Sequence, residues 1–166
     1  MTRRIRAIVL LVLIAVGAAS CAGEDQIGTA AHRMSSWVKG TGLGEDIGTL
    51  MADNARLPND VRNGTGAVHA ACGTMEDDAE MANGELPSPD AQVTIWLSTA
   101  YGLEGAAGTT CFNAGSTNKK RLAEAERDTA KAEALYGRVI IRIQSIDGRL
   151  PSTTTTTENG PISIFG

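Results

Sequence analysis

Apolar and small residues recur in alternating steps of three and four along most of this chain, the rhythm of one helix face. Ile27, Ala30, Ala31, Met34, Trp37 and Val38 predict a first helix over about 25–39, ended by Gly40-Thr41-Gly42. Leu43, Ile47, Leu50, Met51 and Leu57 predict a second over about 43–57, stopping before Pro58. Val61, Thr65, Val68, Cys72, Met75, Ala79, Ala82 and Leu86 form the seam of a third. Asn59 or Asp60 is placed to cap it, although Gly64 and Gly66 delay a firm start to Thr65.

Pro87 and Pro89 interrupt the rhythm, and Ser88-Pro89-Asp90 reads as the start of a fourth helix with Ser88 as its cap. That helix carries Val93, Leu97, Ala100, Glu104, Ala107 and Cys111 along its seam. The fifth, over about 117–147, is the clearest: Leu122, Ala125, Thr129, Ala132, Tyr136, Val139, Ile143 and Ile146 share one face until Gly148 and Pro151. The expected fold is all-α, an up-and-down helical bundle of four to five helices over residues 25–148. Aromatic residues make up only 4% of the chain, so the core is built from small and aliphatic side chains, which suits close-packed helices. Residues 149–166 hold five consecutive threonines and little apolar content, and read as a disordered tail ending in the apolar Ile162-Ser163-Ile164-Phe165.

The rhythm does not extend to the N-terminus. Arg3, Arg4 and Arg6 precede an unbroken apolar run from Ala7 to Val16, followed by Gly17-Ala18-Ala19-Ser20-Cys21. This is the layout of a secretory signal peptide over residues 1–20. Ala7 to Ala19 is 13 residues, against the roughly 20 that a membrane span needs. The cysteine after Ala-Ala-Ser resembles the lipobox of bacterial lipoproteins. The resemblance covers this segment alone and implies cleavage before Cys21 and a lipid on its thiol. Residues 21–24 would then be a short linker at the extracytoplasmic side of the cell membrane. Ala18 stands where that family usually has Leu, so cleavage by ordinary signal peptidase near Ala19 or Ala22, or retention as an uncleaved anchor, stays open.

If Cys21 is lipidated, Cys72 and Cys111 remain as an even pair able to form one disulfide in an oxidising compartment. A tight symmetric hairpin would place them at unequal depths, about 15 and 33 Å from the turn. Either the connection climbs or the fourth helix bends at Gly102–Gly105 to bring them level.

Without its leader the chain keeps 12 of its 15 basic side chains against 19 acidic ones, moving the net charge from −4 to −7. Such a surface argues against nucleic acid and against attraction to anionic headgroups, leaving attachment to the lipid. Chemistry is sparse. Neither His32 nor His69 follows a glutamate at the spacing of a di-iron bundle. His69, Cys72 and Glu76 are too few for zinc. The Glu76-Asp77-Asp78-Glu80 run lacks the alternation of a calcium loop, and the glycines near 40–48 lack a phosphate-loop pattern.

No cofactor, no metal and no enzyme activity are expected. Glu104 is the exception to the pattern: a carboxylate on an apolar seam is costly unless exposed or paired. Either the local glycines turn it to solvent, or it is buried with Tyr101, Tyr136 or an arginine around a small pocket. The reading that follows is a lipid-anchored cell-envelope protein working through contacts with another envelope protein. The alternative is a carrier or sensor that binds a small molecule or lipid between its helices.

Overall fold

A computed structural model describes residues 28–149, so the leader, Cys21 and the threonine-rich tail lie outside the described residues. Five helices form: α1 Ala30–Thr41, α2 Leu43–Asn63, α3 Thr65–Gly84, α4 Ala91–Ala114 and α5 Lys119–Ile146. Helices α2 to α5 run alternately up and down as a four-helix bundle, and α1 lies across the upper end. There the Trp37 indole Nε1 donates to the Glu85 carbonyl at 3.3 Å, and Met34 is buried.

The second helix is longer than its sequence predicts. It runs through Pro58 to Asn63 instead of stopping at residue 57. Pro58 forfeits the N–H that would reach the Asn54 carbonyl, a defect worth about 3 kcal/mol or more in a helix interior. The compensation is packing: Leu57 is buried just before the proline, and Val61 packs on the same core one turn later. The reversal falls instead at Gly64, whose φ of 102° is a conformation that side-chain-bearing residues rarely adopt. Asn59 and Asp60 therefore lie in the last turns of α2 and cap nothing, and α3 begins at Thr65.

The start of α4 also shifts. Asp90, not Ser88, is the cap, accepting from the Val93 amide at 2.9 Å. Ser88 supports it from outside the helix, its hydroxyl donating to the Asp90 carbonyl at 2.7 Å. The Arg142 guanidinium of α5 meets the second Asp90 oxygen at 2.8 Å and holds that carboxyl below its usual range.

Cys72 and Cys111 are bonded, with Cα atoms 5.8 Å apart. Below them Thr65 and Ser116 hydroxyls meet at 2.9 Å, and above them Asn83 and Ser98 face one groove. These pairs keep a constant antiparallel register along α3, so α4 accompanies it as one helix and the sulfurs are brought level by the climbing connection. Gly84 stands level with residues 97–98, leaving Ala91–Leu97 roughly 10 Å above the end of α3. The overhang packs with Trp37, Val38 and Leu86 in the upper core, which gives α1 its place.

One glycine is required for the close passage of α3 and α4. A Cβ on Gly108 would sit 2.8 Å from the Cys72 carbonyl oxygen and 3.0 Å from the Glu76 nitrogen. Both are backbone atoms that yield only if the helices part. Gly108→Ala is therefore expected to destabilise the fold by about 1–3 kcal/mol. Gly102→Ala, where an added Cβ meets nothing within 4 Å, should stabilise it by roughly 0.5–1 kcal/mol. Urea midpoints of the two variants, moving in opposite directions, check this.

Candidate functional site: a polar layer across the bundle

The core is divided. An upper apolar cluster includes Leu50, Leu97, Tyr101, Ala132 and Tyr136, and a lower one includes Leu57, Met75, Cys72, Ala107 and Ala125. Between them lie Asp53 and Asn54 of α2, Glu104 of α4 and Thr129 of α5, with the exposed Glu133 of α5 at their edge. Asp53 and Thr129 are buried, and Glu104 is 0% exposed.

Glu104 is thus buried, but its partner is neither a tyrosine nor an arginine. The Asn54 Nδ2 group donates to Glu104 Oε1 at 3.0 Å and to Glu133 Oε1 at 3.3 Å, bridging α2 to both α4 and α5. Both contacts are carboxylate oxygens, which fixes the amide nitrogen as the atom facing them. Glu104 Oε2, Asn54 Oδ1, Asp53 Oδ2 and the Tyr136 hydroxyl have no hydrogen-bond partner among the described residues.

Burial pushes the Glu104 carboxyl up to about 7; the Asn54 bond partly opposes this, and the neighbouring Glu133 and Asp53 charges reinforce it. Near neutral pH its protonated form is therefore accessible, and that form gains a donor in a layer already rich in acceptors. Asp53 is raised as well by burial, with the Arg56 guanidinium on its Oδ1 offsetting part of the effect. Burial also raises Tyr136, and the Glu104 charge adds to it.

Of the three residues expected around a pocket, Glu104 lies close enough to Tyr136 for its charge to act on the phenol, and Tyr101 faces Tyr136. The Tyr101 and Tyr136 rings lie 6.0 Å apart, tilted, within the upper cluster. Tyr101 also borders an open groove between α3 and α4. Asn54 and Glu133 border another, of about 260 Å³, between α2 and α5 beside Pro58. Elsewhere, His69 stacks on Phe112 with ring centroids 4.3 Å apart, and its neighbour Cys72 is committed to the disulfide. Among the described residues no group of three or more His, Cys, Asp or Glu side chains is arranged to hold a metal ion, and no helix is long and apolar enough to cross a membrane.

Asn54, Asp53 and Glu133 were not singled out by sequence, yet a signal existed. Leu43, Ile47, Leu50, Asn54, Leu57 and Val61 continue the three–four steps through the proline, with one amide in the series. No protein-family model matches the chain, and no curated protein or solved structure matches it.

Proposed function

We propose that the chain is a cell-envelope lipoprotein, held by a lipid on Cys21, whose helical bundle works as a contact module for another envelope protein. The observation carrying the anchor is the Cys72–Cys111 bridge. It accounts for two of the three cysteines and leaves over the one that follows Ala18-Ala19-Ser20 at the end of the apolar leader. A disulfide also suits a protein exported to an oxidising compartment. In favour of a contact role, the staple makes α3 and α4 a rigid pair, and Met81, Ile95 and Ile141 are each more than half exposed on the outer faces of α3, α4 and α5.

Cys21→Ser tests the anchor. Expressed in a bacterium with lipoprotein processing, the parent should partition with membranes and incorporate labelled palmitate. The variant should lose the label and leave the membrane fraction. A variant that stays membrane-bound would sink the proposal.

A further inference from the structure

A groove at the upper end of the bundle, away from the polar layer, occupies about 250 Å³ where α1, α2 and the end of α5 meet. Its floor is aliphatic: Val38 from α1, Leu43 and Ile47 from α2, Ile140 and Ile143 from α5. Leu43 and Ile47 are buried in the core, whereas Val38, Ile140 and Ile143 are only half-buried and turn apolar surface toward the opening. Two cations stand on the rim, Lys39 at the last turn of α1 and Arg149 just past α5. Among the described residues Lys39 forms no ion pair and Arg149 pairs only with Asp147, at 3.8 Å.

On a chain with an excess of acidic side chains, two cations beside an apolar trough are a local reversal of sign. An apolar cleft with a few polar groups placed to orient an occupant is the usual form of a small-molecule site. We infer that this groove binds a free single-chain amphiphile with a carboxylate head, the acyl chain lying along Val38, Ile140 and Ile143 and the head between Lys39 and Arg149. The volume is slightly below the range of about 300–1,000 Å³ typical of ligand clefts, so the trough covers only part of such a chain and the remainder stays at the surface. Asp147, which also lines the groove with its Oδ1 buried and unpartnered among the described residues, sets a limit. It repels the head unless Arg149 stays beside it, so the head depends on both cations rather than on either alone. The inference is independent of the anchor.

The test is calorimetric titration of the purified protein with dodecanoate at pH 7, below its micelle concentration, with dodecanol as the neutral chain of equal length. Saturable one-to-one binding of dodecanoate is expected. The double variant Lys39→Glu/Arg149→Glu should weaken it at least about tenfold while changing dodecanol little; both side chains are exposed, so the fold is not at stake. Ile143→Asp should weaken both ligands. Absence of saturable binding overturns the inference, as does binding that the charge reversal leaves unchanged. Attachment to anionic phosphatidylglycerol vesicles without dodecanoate binding also overturns it, assigning the cations to a membrane surface.

Discussion

Glu104→Gln is expected to stabilise the protein by about 3 kcal/mol at pH 8 and to change it little at pH 4. The magnitude follows from a carboxyl raised from 4.5 to about 7, at 1.36 kcal/mol per unit. The direction follows from linkage. The folded state holds its proton more tightly than the unfolded chain, so Glu104 favours folding most below pH 4.5 and loses that contribution as pH rises through 7. Glutamine removes the titration while keeping an oxygen to accept from Asn54 and adding a donor for the unpartnered acceptors nearby. Other carboxylates titrate over the same span, so the quantity to read is the variant-minus-parent difference in urea stability at the two pH values. A difference that is equal at both would show that Glu104 is not a buried titrating acid.

Removing the disulfide has a comparable or larger effect in the opposite direction. The bridge joins residues 39 apart, and the chain-entropy relation for a loop of that size gives about 4 kcal/mol. Cys72→Ala/Cys111→Ala is expected to lower the melting temperature by roughly 10–20 °C for a domain of this length. Reductant should do the same to the parent and nothing to the double variant. Both sulfurs are fully buried, so some of the loss in the alanine variant is packing. The reductant experiment separates the two contributions, and a parent indifferent to reduction would contradict the staple.

The seams of α3, α4 and α5 were legible in the sequence because small and aliphatic residues keep their spacing over many turns. Val68, Cys72, Met75, Ala79 and Ala82 are all buried, as are Leu122, Ala125, Thr129, Ala132, Tyr136 and Val139. What failed was punctuation. Pro58 reads locally as a stop, and only the burial of Leu57 and Val61 against helices far along the chain overrides it. Ser88 and Asp90 are equally good caps by composition, and the choice is made by a hydroxyl bond and an arginine 52 positions away. Glu104 was legible as an exception, but its partner was not, because Asn54 is 50 positions away on the helix whose end was misjudged. The groove at the upper end draws on three helices and so had no sequence signature at all.

The polar layer carries a consequence for the uniqueness of the fold. Alanine and glycine make up much of the facing surface of α4, and such smooth surfaces let one helix slide past another by a heptad with little change in packing. An apolar interior of this kind tolerates several alignments that differ little in energy. One amide that must find two carboxylates at a single height rejects the alternatives, because any slip leaves Glu104 buried with no donor. Asn54 thus ties α2 to α4 and α5 at one height, and the Cys72–Cys111 bridge ties α3 to α4 at another, so two separate levels mark the same alignment.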